Sequence, residues 1–230
     1  MQYRAFAHPL NWYPLEVTGS VELLFVYVTD IEEQVRKGIA DYRQRAETVI
    51  IESQSDGEPE RVVTVHKALD NGTWDLTEIF ENYFPSLQRR SALVTLFSFF
   101  ESELESLCKR IRSHDHLKID LSDLADKGIV RSTAYLEKIV GLAEVRGCQT
   151  WQEIKNIQSI RNLIVHADGK IPIQINGKPA KIVEHIKGSH LLQEGKEVVI
   201  LEGYLAHTLS TFNKYFTHLH ARMMYKYGAA

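Results

Sequence analysis

The chain has 230 residues, 44% of them hydrophobic and 25% charged, which is an ordinary globular composition and excludes a disordered or collagen-like chain. Its 27 Lys and Arg residues are balanced by 30 Asp and Glu residues, so the net charge of −3 supplies no global field for a polyanion, and any contact with nucleic acid has to be local. The two cysteines, Cys108 and Cys148, have no CxxC partner, which excludes a disulfide framework and a thiolate zinc site and favours the reducing cytoplasm.

The first 60 residues predict a helical N-terminal region. They contain no apolar run typical of a secretion signal, and the longest apolar stretches of the chain are far shorter than a membrane span. Apolar residues recur at steps of three and four from Val28 to Val49, which predicts one face of a long helix. Residues 21–28 suit either a strand or the first turns of the same helix, and we prefer the helix. A polar loop at residues 53–59 then separates an unassigned region, 1–60, from the main domain, 61–230.

The middle of the chain predicts an extended segment at residues 61–66 and then two helices. A short helix capped at residues 75–78 is followed at Pro85 by a long helix that runs to about residue 112. The apolar residues of the long helix fall in one arc about 100° wide, which predicts a core-facing helix. These residues are Leu93, Leu96, Phe97, Phe100, Leu104, Leu107 and Ile111. Glu101 and Glu103 lie just outside the two edges of the arc.

The C-terminal part of the chain predicts three more helices and a β-hairpin. The pattern indicates, in chain order, a helix over residues 132–145, a helix that begins at the Thr150 capping box and ends near His166, a hairpin of residues 171–175 and 181–186, a short strand over residues 197–201 and a last helix over residues 204–225. Together the elements predict an all-α fold, an antiparallel helical bundle with a small β-hairpin excursion before the C-terminal helix.

Arg161 interrupts the apolar face of the helix that ends near His166. With Trp151 at 0°, Arg161 falls at about 280°, between Ile157 at about 240° and Val165 at about 320°. An unpaired charge among these side chains costs several kcal/mol, and such a break in the pattern is typical of functional or interfacial residues. His166 falls on the polar side, about 140° from Arg161, so the two side chains do not project together from one chain.

Arg161 and His166 form an Arg-x4-His spacing in which Asn162 directly follows the arginine. Arg61 and His66 have the same spacing, but they flank an extended segment and lack the asparagine. The pair of Arg161 and His166 differs in three ways: it contains the asparagine, it lies on a helix with a predicted cap, and it is followed by an Asp-Gly pair that can end the helix.

This motif, RNLIVH, follows a helix that reads LFSFFESELESLC, and the pair resembles the HEPN superfamily of α-helical ribonucleases. The chain is most similar to members found in abortive-infection, toxin–antitoxin and RNA-processing systems, over roughly residues 86–225. The resemblance implies metal-independent RNA cleavage by Arg161 and His166 in a composite site at a homodimer two-fold, with no cofactor. Asp168 stands where toxins silenced by a paired nucleotidyltransferase carry a tyrosine. This departure speaks against such an antitoxin, and the identity of any antitoxin or regulatory partner stays open.

The chemistry of the residue types supports the same roles. RNA carries its own nucleophile, the 2′-OH, and its cleavage needs a base, an acid and positive charge at the phosphorus centre. A histidine serves as base or acid near neutral pH, and an arginine holds phosphoryl oxygens by bidentate hydrogen bonds. Asn162 shares a helix face with His166, where its amide can orient the imidazole or contact a phosphate. Lys155 lies in the same polar arc and is the predicted RNA contact.

Two carboxylates remain as candidate partners of the inward-facing Arg161. Glu101 and Glu103 are not separated by the helical wheel, and the resemblance favours Glu101. The sequence predicts a homodimeric endoribonuclease that cleaves RNA by 2′-OH attack, as a toxin or phage-defence effector. The alternative is a non-catalytic helical interaction module of the same fold, in which Arg161 is a structural ion pair at the dimer interface.

Other charged residues receive no functional role. The polar loop with His114 and His116 lacks a second fixed pair of ligands, so we predict no metal site. Arg89 and Arg90 are interpreted as solvated charges on the long helix.

Overall fold

The computed structural model describes residues 8–51, 61–172 and 180–228. The chain is mostly helical and contains two small antiparallel sheets. In chain order the elements are α1 (Thr18–Arg45), β1 (Glu47–Ile51), β2 (Arg61–His66), β3 (Leu69–Asp70), α2 (Phe84–His114), α3 (Gly128–Lys138), α4 (Gln149–Ala167), α5 (Lys181–Gly188), β4 (Leu192–Glu194), β5 (Val198–Ile200) and α6 (Tyr204–Tyr227). None of the helices in these ranges is both long enough and apolar enough to cross a bilayer.

Helix α2 forms the centre of the fold and contacts α1, α3, α4 and α6. All the apolar residues of its predicted arc are fully buried, so the prediction of a core-facing helix is confirmed. The rings of Phe100 and Phe212 stack across α2 and α6 with centroids 4.3 Å apart. Trp12, Val17 and Val21 belong to the same hydrophobic core, so the N-terminal segment packs on the bundle.

The N-terminal region is helical from the start of α1, so the alternative of a strand at residues 21–28 is wrong. Helix α1 ends at Arg45, whereas the predicted apolar face of the helix extended to Val49. It ends there because the β-branched residues that follow pair with β2. The predicted extended segment at residues 61–66 is confirmed as β2, the middle strand of a sheet with the order β1-β2-β3. The predicted polar loop and the domain boundary near residue 60 lie outside the described residues.

Helix α2 continues directly from a π-helical turn, Glu78–Tyr83, instead of starting anew at Pro85. Asp75 caps this turn by accepting a hydrogen bond from the backbone N–H of Glu78 at 2.9 Å. The N–H of Phe84 donates to the carbonyl of Ile79, five residues back. This wider turn accommodates the proline, which has no N–H to donate and whose ring would clash in a regular α-helical turn.

Helix α3 starts and ends earlier than the sequence predicted. It begins at Gly128 and ends at Lys138, and Gly141, with a φ of 75°, reverses the chain so that the N–H of Leu142 donates to the carbonyl of Leu136 at 2.9 Å. A glycine in the left-handed region is a common helix stop. Gly141, and not Gly147, therefore ends this helix.

Two further predictions in the C-terminal part are wrong. Helix α4 begins at Gln149, so Thr150 lies inside its first turn and forms no capping box. The segment predicted as the second hairpin strand, residues 181–186, is part of α5, because Val183 and Ile186 are both buried at helical spacing. The predicted first strand lies partly outside the described residues. The hairpin that precedes α6 is formed by β4 and β5.

Candidate functional site

Helix α4 buries its first turns in the core and brings its last turns to the surface. Ile154, Ile157 and Ile160 are fully buried between α2 and α6. Val165 is 47% exposed and His166 is also exposed. The Arg-x4-His segment thus lies where the helix leaves the core.

Arg161 is half-buried between α4 and α2. Its guanidinium carbon is 5.4 Å from the centroid of the Phe97 ring, and Nη2 is 3.4 Å from Oε2 of Glu101. Nη1 donates a hydrogen bond to Oδ1 of Asn162 at 3.1 Å. Nε is buried and has no hydrogen-bond partner in the described part of the chain. The arginine is thus held by a cation–π contact and one long ion pair, and one of its donors is unsatisfied.

The structure distinguishes the two carboxylates that the sequence left open. Glu101 contacts Arg161, whereas Glu103 accepts a hydrogen bond from the indole N–H of Trp12 at 3.1 Å. Burial raises the pKa of Glu103, and the Trp12 hydrogen bond offsets part of the rise. Gly128 lies against Glu101 with a φ of 55°, and a β carbon at this residue would be 2.5 Å from Oε1 of Glu101. Glu101 is therefore placed between a glycine and a guanidinium.

His166 lies on the last turn of α4 and does not contact Arg161. Among the described residues, no hydrogen bond or ion pair involves its imidazole. The amide oxygen of Asn162 binds Arg161, so the predicted contact between this amide and the imidazole is not formed within one chain. Both ring nitrogens of His166 remain available to a substrate or to a second chain.

The end of α4, just after His166, is fixed by Arg90 of α2. Asp168 and Gly169 adopt left-handed φ angles of 53° and 77°, and the N–H of Gly169 donates to the carbonyl of Leu163 at 3.0 Å. Nη2 of Arg90 donates to the carbonyl oxygen of Asp168 at 2.8 Å and also to Oδ1 of its carboxylate, and Nη1 donates to Oε2 of Glu197 at 2.6 Å. A β carbon at Gly169 would lie 3.2 Å from the guanidinium carbon. The helix end is thus tied to α2 and to the β4–β5 hairpin.

Sequence reasoning missed this arrangement, and the interpretation of Arg89 and Arg90 as solvated charges is wrong. Arg90 is 4% exposed, and Arg89, 8% exposed, donates to the carboxylate of Glu32, with Nη2 at 2.7 Å. The sequence did indicate that these arginines are buried, because on the helical wheel Arg89 falls inside the apolar arc of α2 and Arg90 falls at its edge. The same criterion singled out Arg161 on α4.

Lys155 lies on α4 well away from His166. Eleven residues separate them, which is about 16 Å along the helix axis. The ammonium group donates to Oε1 of Gln158, and burial lowers its pKa. Lys155 therefore does not reach a phosphate held at His166 of the same chain.

The Arg61 and His66 pair lies outside this site. His66 is 5% exposed and packs edge-on against the rings of Tyr42 and Phe80, with centroids 5.4 and 4.7 Å away. In the described ranges, no three His, Cys, Asp or Glu side chains are arranged to hold a metal ion.

Comparison with protein-family models, with curated proteins and with solved structures finds no match for this chain.

Proposed function

We propose that this protein is a homodimeric, metal-independent endoribonuclease of the cytoplasm, of the toxin or phage-defence class. The proposal rests on the RNLIVH motif and its resemblance to HEPN ribonucleases, together with the placement of His166. The observation that carries it is that a histidine with two available ring nitrogens lies exposed at the end of the helix that also holds the inward Arg161.

The proposed reaction is a transesterification within the RNA strand. The imidazole of His166 removes the proton from a 2′-OH and becomes an imidazolium, and the 2′ oxygen attacks the adjacent phosphorus. The bond from phosphorus to the 5′ oxygen breaks, and the leaving oxygen takes the proton from the same imidazolium. Arg161 neutralises the charge that develops on the phosphoryl oxygens. The products are a 2′,3′-cyclic phosphate and a 5′-hydroxyl end.

The site requires two chains because Arg161 and His166 diverge on α4. A two-fold axis close to the exposed end of α4 would bring the His166 of each chain towards the Arg161 of the other. Val165, half-exposed between them in sequence, supplies apolar surface for such a contact. Asn162 would then orient the guanidinium of Arg161 through the hydrogen bond that the two residues form within one chain.

The alternative function is a non-catalytic interaction module. It is favoured by the fact that Arg161 already has Glu101, Asn162 and the Phe97 ring as partners within one chain, as expected for a structural residue. In that case the exposed end of α4 would bind another protein without turnover.

Replacement of His166 by alanine separates the two functions. We expect His166→Ala to reduce RNA cleavage by at least about 10²-fold, the usual contribution of a general acid or base, with an unchanged circular dichroism spectrum. His190→Ala is the matched control because His190 is also exposed and lies outside the site. Cleavage is measured on structured and single-stranded RNA in the presence of EDTA. Full activity of metal-free His166→Ala would rule out the nuclease proposal.

A further inference from the structure

The outer side of the first half of α2 carries no exposed charge. Residues 84–102 include three charged side chains, and none of them is exposed: Arg89 and Arg90 are buried in ion pairs, and the half-buried Glu101 contacts Arg161. The exposed residues of this stretch are all uncharged and fall within an arc of about 100° on the helical wheel. They are Phe84, Leu87, Gln88, Ser91, Thr95, Ser98 and Ser102. We call this surface, which is about 27 Å long at 1.5 Å per residue, the uncharged face.

The uncharged face differs from other exposed helical surfaces of the protein. The second half of α2 presents the ion pair of Glu105 and Lys109 to solvent, and α1 presents the pair of Glu33 and Lys37. Depletion of charged residues is what distinguishes the centre of a protein–protein interface from ordinary surface. The apolar side chains of Phe84 and Leu87, 39% and 40% exposed, add area that a partner would bury. The composition of the face therefore indicates a contact with another protein surface.

The hydroxyl groups of the uncharged face already have partners within α2. Ser91, Thr95 and Ser98 each donate to the carbonyl four residues earlier, at 3.0, 3.2 and 2.9 Å. These groups need no polar ligand, and the face has no exposed lysine or arginine to bind a phosphate backbone. Their short side chains allow a second helix to approach to an interaxial distance of about 8 Å. The face thus suits helix packing better than RNA binding.

The uncharged face is level with the candidate site. Arg161 contacts Phe97 and Glu101, while Arg90 binds Asp168. Residues 161–168 of α4 therefore run antiparallel beside residues 90–101 of α2, close to the centre of the face. Val165, which is 47% exposed, lies in the same stretch of α4. A two-fold axis through the centre of the face would bring the α4 ends of two chains to one contact surface.

We propose that a second copy of this chain packs on the uncharged face, so that the two α2 helices cross near Ser91 and Thr95. A two-fold contact sets a surface against itself, and a surface without charge does so with no like charges opposed. The choice of a second copy rests on the proposed function, whose composite site is incomplete within one chain.

A charge placed on the uncharged face tests the contact. Thr95→Glu would put two carboxylates in the interface, one from each chain. We expect the dissociation constant of the dimer, measured by sedimentation equilibrium, to rise by at least about tenfold. The circular dichroism spectrum should not change, because glutamate is a good helix former. Thr29→Glu is the matched control, since Thr29 is an exposed threonine of α1 with the same bond to the carbonyl four residues earlier, and it should dimerise like the wild type.

A disulfide crosslink gives a second, direct measurement. A cysteine close to a two-fold axis lies close to its own copy in the other chain. Ser91→Cys should therefore form a disulfide-linked dimer under mild oxidation. Thr29→Cys and the wild type, whose Cys108 is buried and Cys148 partly buried, should not.

The two measurements separate this contact from catalysis. The inference is overturned if the wild type is monomeric at the highest concentration tested, if Thr95→Glu and Thr29→Glu dimerise equally well, or if Thr95→Glu weakens RNA binding without changing the oligomeric state. Cleavage that depends on His166, together with dimerisation that Thr95→Glu does not affect, would overturn the uncharged face alone. Loss of the dimer in Thr95→Glu together with full activity of His166→Ala would support the face and contradict the nuclease assignment.

Discussion

Glu101 and Glu103 are close in sequence, but they lie in different environments on α2. Glu101 contacts the guanidinium of Arg161, whereas Glu103 accepts a hydrogen bond from the indole of Trp12. Burial beside a neutral donor disfavours the charged form of the Glu103 carboxylate and raises its pKa. The candidate site therefore contains Glu101, the carboxylate that lies beside the positive charge of Arg161.

The raised pKa of Glu103 predicts a measurable pH dependence of stability. A raised pKa means that the folded state favours the protonated carboxyl, so this contribution to stability is fully present below the usual value of 4.5 and is lost as pH rises through the raised value. Glutamine imitates the protonated form and still accepts the Trp12 hydrogen bond. We expect Glu103→Gln to unfold in urea like the wild type at acidic pH and to be more stable than the wild type at neutral pH.

Glu105→Gln provides the control because the Glu105 side chain is about half exposed and paired with Lys109 on the same helix. A stability difference between Glu103→Gln and the wild type that does not change with pH would contradict the assignment.

At the scale of the elements, a buried side chain from α2 helps to fix the end of α4. Arg90 binds Asp168 and Glu197, which belong to two segments far apart in the chain. Removal of Arg90 would leave the partly buried carboxylate of Glu197 without its counter-charge and the carbonyl of Asp168 without this hydrogen bond, whereas the carboxylate of Asp168 is largely exposed to water. The last turn of α4, which carries His166, would lose this attachment to α2.

Arg90→Ala is therefore expected to loosen the end of α4 as well as to destabilise the protein. Hydrogen exchange should become faster in residues 163–172, and cleavage should fall even at temperatures where the protein is folded. Arg89→Ala is the matched variant, since Arg89 is buried beside it but binds Glu32 of α1 and the carbonyl of Ile200. It should destabilise the protein without this local change, and equal exchange of residues 163–172 in both variants would contradict the role of Arg90.

The elements also show what the sequence could and could not predict. The long helices were predictable because their apolar residues recur at helical spacing, as in the buried arc of α2. Helix α5 was mistaken for a strand because its isoleucines and valine are β-branched, although Val183 and Ile186 have helical spacing. The inward position of Arg161 followed from the helical wheel. The partners of Arg90 did not, because Asp168 and Glu197 approach it only through the tertiary fold.

For the whole molecule, the near balance of charges limits how RNA can be held. The 27 Lys and Arg residues include Arg89 and Arg90, which are buried in ion pairs and unavailable to a phosphate backbone. Under the proposed function, RNA binding would depend on a few local cations and on the shape of the RNA, and it should weaken with added salt. The proposed dimer would double these cations at one surface.

A mixture of two inactive variants tests the composite site. In a site built from the Arg161 of one chain and the His166 of the other, Arg161→Ala and His166→Ala each inactivate both sites of a homodimer. Random pairing makes about half of the dimers mixed, and each mixed dimer has one complete site of two, so the mixture should recover about a quarter of wild-type cleavage.

Recovery is measured after the two proteins are unfolded and refolded together, and the separately refolded variants serve as controls. If the mixture stays inactive while mixed dimers are shown to form, the two residues act within one chain.

The position of Glu101 relative to Arg161 depends on an uncharged residue, Gly128. Because a β carbon at this residue would collide with the carboxylate of Glu101, one added methyl group would move the counter-charge away from Arg161. Both charged side chains would remain, but the arginine would be freer to turn towards a phosphate. The protein thus has a residue, remote in sequence from the motif, at which a substitution would reposition the partner of Arg161 while the motif itself stays intact.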